Sequence, residues 1–256
     1  MKYGFTYKDK HSDDFNLLLH KAKRNIGAPT ADEEMTIPGK DGIIYVMQNR
    51  KAKEIEIEFS IDAESPEALR ELAYEVADWL VAERDRNNKP IPYALVFDDD
   101  TDRQWVGYTK NQISADDIVN SSEIKCTFII PSAYVEDISK TNSGEGAGQV
   151  DVVNNGTLPV DAIITCEIQE VSDYLEIELF ETGQFVRIEN SDNFDYTLQA
   201  GDIVEVDTKK HYVSVNNIDA RAGVTLDSEY FKLPKGESTL IAENSVVSAE
   251  WRERWK

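Results

Sequence analysis

Residues 54–61 read Glu-Ile-Glu-Ile-Glu-Phe-Ser-Ile, and this stretch decides the class of fold. Its apolar side chains, Ile55, Ile57, Phe59 and Ile61, alternate with polar ones. Because successive side chains of a strand point to opposite faces, the alternation predicts an antiparallel strand with one buried and one wet face.

A helix follows this strand. Ser65 suits the N-cap and Pro66 the first helical position, and apolar residues then recur at three- and four-residue spacing. They are Leu69, Leu72, Ala73, Val76, Trp79 and Leu80. Pro90 and the two asparagines before it act as a stop, so the helix is predicted over 66–86. A second, shorter helix is predicted over Asp14–Lys21.

The rest of the chain shows the period of strands. Tyr93–Phe97 and Gln104–Tyr108 flank an acidic turn and predict a hairpin. In the second half, short strands separated by turn residues are predicted every eight to twelve residues, a spacing typical of a β-sandwich. These strands are Ala162–Gln169, Tyr174–Phe180, Phe185–Glu189, Ile203–Asp207, Tyr212–Val215, Ser238–Ala242 and Val246–Arg252.

The domain organisation follows from a small, polar stretch between the two halves. Residues 139–149 include Gly144, Gly146 and Gly148, show no apolar periodicity and are predicted to be a linker. The chain is therefore predicted to be mainly β, with a β-domain and one packed helix over 1–138 and an all-β domain over 150–256.

Composition excludes several classes of function. The 256 residues carry 49 acidic and 27 basic side chains, a net charge of −22, and no basic block, which argues against binding a phosphate backbone. A hydrophobic fraction of 41% supports real cores and argues against disorder. The longest apolar runs are five residues, so no membrane segment or secretory signal is expected.

Residues with catalytic or metal-binding potential do not form a convincing set. The three histidines make no HxH or HxxxH pair, and neither HExxH nor GxSxG occurs. Asp98–Asp102 resembles the opening of a calcium loop, but Arg103 stands where that loop needs glycine and Thr109 where it needs glutamate. No catalytic residue, cofactor or metal ligand is predicted. Cys126 and Cys166 match no metal or redox spacing and are interpreted as buried thiols, with a linking disulfide as the alternative.

The chain ends in a segment rich in tryptophan and arginine. If it is extended, Trp251 and Trp255 share one face. One reading makes Trp251 a core residue and Trp255 a surface residue. The other makes both aromatic anchors of a protein–protein interface.

Several motifs taken in order resemble the distal tail proteins of siphophages, the phages with long, non-contractile tails. They are Asp14-Phe15-Asn16, Ile37-Pro38-Gly39-Lys40-Asp41-Gly42, the strand Glu54–Ile61 with its helix, Phe97–Trp105, Lys125–Pro131, Asn154-Asn155-Gly156-Thr157 with Pro159, Phe231–Leu240, and the Trp/Arg tail.

The resemblance implies a tail-tube-like amino-terminal domain that closes into a hexameric ring and a galectin-like carboxy-terminal β-sandwich. It implies a structural hub of the virion, made in the host cytoplasm, with no enzymatic activity and with a central channel that lets DNA pass. The implied partners are further copies of the chain, the tail tube protein, the tape-measure protein and the tail-associated protein of the tip or baseplate.

Ring assembly also suits features of the sequence itself. Residues 24–50 are predicted to form an arm that packs on the next subunit, since extended arms and edge strands are completed by neighbours in a ring. The predicted assembly residues are Pro38, Gly39, Asp41, Gly42, Trp251 and Trp255. The rival functions are a carbohydrate-binding module, suggested by the sandwich pattern and four tryptophans, and a glycoside hydrolase using an unidentified carboxylate pair.

Overall fold

A computed structural model describes residues 3–25, 27–39, 41–42, 44–110, 119 and 123–256. The chain divides into two compact units, Met1–Glu136 together with Lys256, and Asp137–Trp255. Strands make up most of the named elements of both units, which confirms the predicted mainly β fold.

The first unit is built on an antiparallel sheet in the order β2-β1-β7-β8-β9-β6-β3. Strands β4 and β5 form a separate two-stranded sheet. The elements are β1 Phe5–Tyr7, β2 Lys10–His11, a 3₁₀ helix Ser12–Phe15, β3 Leu17–Arg24, β4 Thr30–Met35, β5 Ile44–Arg50, β6 Lys53–Ile61, α1 Pro66–Leu80, β7 Tyr93–Phe97, β8 Asp100–Thr109, β9 Ile124–Ile130 and β10 Val135–Asp137, whose last residue belongs to the second unit.

Strand β6 has the two-faced character that its sequence predicts. Ile55, Ile57 and Phe59 are fully buried, whereas the intervening glutamates are not. The hairpin of β7 and β8 is also as predicted, although β8 begins inside the acidic turn, at Asp100.

Helix α1 is held against the sheet by Trp79. Its ring stacks on Phe5 and Phe15, with ring centres 5.5 and 4.6 Å apart, and its Nε1 donates to the carbonyl of Tyr7 across 2.8 Å. The amino-terminal end is as predicted, because Ser65 Oγ accepts from the Ala68 amide at 3.1 Å.

The helix ends at Leu80, earlier than the predicted 86. Val81 is already extended, and its carbonyl accepts from Lys8 Nζ at 2.8 Å. The Leu80 carbonyl accepts from the hydroxyl of Thr109. These tertiary hydrogen bonds satisfy the last carbonyls and stop the helix before the proline does.

The helix predicted over Asp14–Lys21 is wrong. The 3₁₀ helix ends at Phe15 and is capped by Asn16, which adopts a left-handed conformation with φ of 52°. The chain then enters β3, where Leu17 pairs with Ile61 of β6. Pairing with a neighbouring strand therefore overrides the weak local helical pattern.

The second unit holds an antiparallel sheet in the order β14-β13-β18-β12-β15-β16-β17, with β11 paired to β18. Its elements are β11 Thr141–Asn154, β12 Ala162–Ile168, β13 Tyr174–Leu179, β14 Gln184–Glu189, β15 Ile203–Asp207, β16 Tyr212–Val215, β17 Ile218–Asp219, a 3₁₀ helix Arg221–Gly223, β18 Gly236–Trp251 and β19 Arg254–Trp255. The two strands predicted over Ser238–Ala242 and Val246–Arg252 are parts of the single strand β18.

The linker predicted over 139–149 is largely strand β11. Two irregularities in its pairing with β18 break the period-two pattern, and Gly144 and Gly148 adopt positive φ values of 78° and 74° there. A Cβ on Gly146 would lie 1.9 Å from the carbonyl oxygen of Gln149. The glycines therefore serve a tightly bulged strand and not a flexible joint.

Candidate assembly surface

The β4–β5 hairpin pairs with no other strand among the described residues. It leaves the main sheet after Arg24, the end of β3, and returns at Lys53, the start of β6. At its base the Lys51 amide donates to the carbonyl of Pro29 across 2.7 Å. The hairpin is thus an extension of the first unit, as the predicted arm over 24–50 requires.

The arm exposes large apolar side chains. Met35 is 55% exposed, Tyr45 56% and Met47 46%, and Ile37 beyond β4 is 40% exposed. Met47 pairs with Glu33 and Tyr45 with Glu34, so the pairing of β4 and β5 is irregular between these two residues. An isolated two-stranded hairpin is marginally stable in water, so these exposed apolar side chains have physical reason to be covered by a partner.

The predicted loop residues lie at the tip of this arm. Pro38, Gly39, Asp41 and Gly42 are all exposed, and the two glycines adopt positive φ values of 82° and 90°. Residues 26, 40 and 43 of the predicted arm lie outside the described residues. Met35, Tyr45 and Met47 are not among the predicted assembly residues. The signal for them in the sequence is the presence of apolar residues in both strands beside the Pro-Gly turn.

The two predicted tryptophans are not equivalent. Trp251 is 3% exposed and belongs to the hydrophobic core of the second unit. It pairs with Ala162 of β12 and with Thr141 of β11 in the centre of the sheet, which leaves it no surface to offer a partner. Trp255 is half-buried on the short strand β19. The structure thus supports the core reading of Trp251, and the predicted assembly surface keeps Trp255.

The motif Asn154-Asn155, at the end of β11, connects that strand to the last residues of the second unit. Asn155 donates from its amide and its side chain to Glu253 Oε1 at 3.1 and 2.9 Å. Asn154 is buried and donates from Nδ2 to the carbonyl oxygens of Leu158 and Pro234 at 2.9 and 3.1 Å. This motif therefore has a structural role within the unit.

The acidic turn that resembles a calcium loop does not gather its carboxylates around one point. Asp98 Oδ1 lies 3.0 Å from His11 Nε2, Asp99 pairs with Arg24, and Asp100 lies 3.8 Å from Arg103 Nη1. Across the described ranges, no three His, Cys, Asp or Glu side chains are grouped to hold a metal ion. Cys126 and Cys166 are buried thiols, and burial raises the pKa of both.

Among the residues that the structure covers, no helix combines the length and apolar character needed to cross a membrane.

Two family models match successive parts of the chain. Residues 10–130 match the RIFT-related domain of phage tail proteins, and residues 155–255 match the C-terminal domain of the siphovirus-type tail component. No curated protein matches the chain.

Solved structures of phage proteins resemble the whole chain. The Dit protein (gp 19.1) of phage SPP1, described as a paradigm of the hub adsorption apparatus in phages that infect Gram-positive hosts, is 15% identical, with a TM-score of 0.79 and 99% of each chain covered. Chains of the phage p2 baseplate in its activated conformation, with calcium or strontium, score lower. The calcium form is 11% identical, with a TM-score of 0.46 over 99% of this chain and 98% of the other, and the strontium form is 10% identical, with 0.49 over 98% and 97%.

The likeness to the SPP1 protein extends over both units and agrees with the fold described above. The two family models follow one another in the same order as the units. The chain belongs to the distal tail protein family of siphophages.

Proposed function

We propose that this chain is the structural hub of a siphophage tail tip. Six copies form a ring that joins the tail tube and tape-measure protein on one side to the tail-associated protein of the tip or baseplate on the other, within the virion. The ring leaves a channel for DNA. The chain acts through its surfaces and not as an enzyme.

The β4–β5 arm is the observation that carries this proposal. Within the described residues the hairpin has no third strand, so it offers two unpaired strand edges, and its exposed Tyr45 and Met47 offer apolar side chains to a partner. In a head-to-tail ring each subunit uses two different surfaces, so an arm of one copy finds its receptor on the next. Pro38, Gly39, Asp41 and Gly42 would then contact that neighbour, and Trp255 stays a candidate contact of the second unit.

The charge of the first unit suits a passage for nucleic acid. Residues 1–140 carry 27 acidic and 18 basic side chains. A net negative wall repels phosphates, and 0.1 M salt screens this repulsion beyond about 10 Å. Such a channel would let DNA pass without holding it.

Removing the arm tests the proposal. Residues 30–50 are replaced by a short Gly-Ser link between Pro29 and Lys51, whose backbones are already hydrogen-bonded, so closing the loop disturbs the main sheet little. The wild-type chain is expected to have about six times its 29.0 kDa mass by light scattering and to give ring images by electron microscopy. The shortened chain is expected to be folded and monomeric.

Point variants separate the exposed apolar side chains of the arm from its strand edges. The pair Tyr45→Ser and Met47→Ser removes two of these side chains but keeps the hairpin, and should weaken the ring. Tyr74→Ser, at a helix position that is 69% exposed, serves as the matched control. A monomeric wild-type chain would overturn the ring, and an intact ring without residues 30–50 would overturn the role of the arm.

A further inference from the structure

Lys53 is a buried lysine in a row of apolar side chains. It is the first residue of β6, and it shares its face with Ile55, Ile57 and Phe59. Only 3% of it is exposed. Lysine is almost never buried to this degree unless its charge is paired, so Lys53 requires an explanation.

No counter-ion for Lys53 is found within the described part of the chain. No carboxylate oxygen there lies within 4.0 Å of its Nζ, and no hydrogen bond of its side chain is seen to those residues. Burial lowers the pKa of its amine, with no ion pair to oppose the effect. The protonated amine is therefore held at a cost that a bound anion would offset.

The amine stands at a cavity of about 480 Å³. Arg24, Asp99, Asp100, Arg103 and Trp105 form most of the wall, and Lys256 adds to it. Arg24 donates from Nη1 to Asp99 Oδ1 at 2.9 Å and lies over the Trp105 ring, 5.7 Å from its centre. Arg103 lies 3.8 Å from Asp100. Asp99 thus pairs with Arg24, and Asp100 lies beside Arg103. The positive charge of Lys53 is therefore available to bind a ligand.

We propose that this cavity binds one carboxylate group, presented by an acidic side chain of a second copy of the chain. A carboxylate matches the single charge of Lys53. A phosphate dianion would add a second negative charge beside Asp99 and Asp100 and is disfavoured by repulsion.

The position of the cavity favours a second copy as the source. Arg24 is the last residue of β3 and Lys53 the first of β6, so the cavity lies where the arm leaves and rejoins the sheet. The surface of a neighbour engaged by the arm would approach this point. With 49 acidic residues against 27 basic ones, that neighbour offers many carboxylates. The source rests on the proposed function, whereas the anion site itself does not.

Acetate probes the site in the purified full-length chain. With lysines labelled by ¹³C and ¹⁵N, the Lys53 signals should shift with acetate, and the pKa of its amine should rise, because the bound anion stabilises the protonated form. Chloride and inorganic phosphate at matched ionic strength should shift them less. Lys125, whose side chain is 73% exposed, is the control in the same spectra. If acetate shifts the Lys53 signals no more than it shifts those of Lys125, the anion site is overturned.

Lys53→Met gives a second measurement that needs no probe. Methionine fits the apolar row, so the variant should be folded and, as a monomer, at least as stable as the wild type. Its ring should nevertheless dissociate at a lower salt concentration, or after less dilution, than the wild-type ring. A Lys53→Met ring as tight as the wild-type ring would overturn the pairing in the assembly.

Carbodiimide coupling identifies the source. The reagent joins the Lys53 amine to a carboxylate in contact with it as an amide and takes up the released water to become a urea. A mixture of ¹⁴N- and ¹⁵N-labelled chains distinguishes a link between copies from one within a copy. A Lys53 link between copies supports the proposal, and a link within one chain, or none, overturns a second copy as the source. An acetate response in a chain that never assembles would keep the site and overturn the ring.

Discussion

Arg254 donates from Nη1 to Oδ2 of Asp161 across 2.7 Å, with about a tenth of each side chain exposed. Lys232 lies 3.3 Å from the other oxygen of the same carboxylate. The pair joins the residue just before β12 to the last short strand of the second unit, β19, beside the contacts of Asn155 with Glu253. The end of the chain is therefore held by ionic and amide contacts together.

Asp161→Asn should destabilise the second unit strongly. The change replaces the poorly hydrated, charged acceptor of Arg254 Nη1 with a neutral amide, and the expected loss in the free energy of unfolding is about 3 kcal/mol. The matched control is Asp219→Asn, whose partner Arg221 is exposed, and it should cost much less than Asp161→Asn because solvent screens the pair. The stability of both variants is measured by urea unfolding, with hydrogen exchange of the β12 amides as the readout. Equal losses of stability in the two variants would contradict the role of burial.

The second unit should also lose stability in acid. Burial disfavours the carboxylate of Asp161, but the hydrogen bond from Arg254 and the charges of Arg254 and Lys232 outweigh it, and the pKa lies below its ordinary value. The unfolded chain then binds the proton at higher pH than the folded one. The stabilisation is complete above the unfolded pKa of about 4 and is lost as the pH falls through the folded pKa. Unfolding at a series of pH values should show this fall, and Asp161→Asn should flatten it; a parallel curve would contradict the assignment.

Trp79→Ala should release α1 from the sheet of the first unit. Trp79 is 5% exposed and stacks on Phe5 and Phe15, so the expected loss is about 3–5 kcal/mol. Trp79→Phe keeps much of the packing but removes the donor to the Tyr7 carbonyl, for a loss of about 1–2 kcal/mol. Tyr74→Ala, on the exposed side of the same helix, should change stability by less than about 0.5 kcal/mol. Exchange protection of the β6 amides reports on this unit, and a similar loss for Tyr74→Ala would refute the anchoring role.

Gly156→Ala should be costly for a steric reason. A Cβ there would lie 2.6 Å from the carbonyl oxygen and 2.8 Å from the amide nitrogen of Arg254, and backbone atoms cannot move aside as a side chain can. The expected loss is about 2 kcal/mol or more. Gly183→Ala is the comparison, because it has open space but a positive φ of 69°, and should cost about 1 kcal/mol from backbone strain alone. Thermal unfolding ranks the two, and the reverse order would contradict a close-approach role for Gly156.

The sequence predicted the elements whose patterns come from burial on one face. The alternation of Ile55, Ile57 and Phe59, and the spacing that leads to Trp79, record which side chains are buried, and the structure agrees with both. The spaced strands of the second half were found for the same reason.

The errors lie where tertiary contacts decide the local structure. β11 has bulges and glycines in place of alternating side chains, so its sequence does not show the period of a strand. Only its pairing with β18 reveals it as one. The carboxy-terminal limit of α1 depends on Thr109 and Lys8, which are distant in the chain. The exposed apolar side chains of the arm were missed because residue type does not reveal exposure. Met47 and Trp251 look equally suited to a core.

Strand β18 has a mechanical consequence. Its 16 residues run through the second unit and pair with β11, β12 and β13. Tension applied along this strand would load its neighbouring hydrogen bonds in shear, so that many must break together, whereas a strand peeled from an edge loses them one at a time. The unit therefore resists a pull along β18 better than a pull that peels away an edge strand.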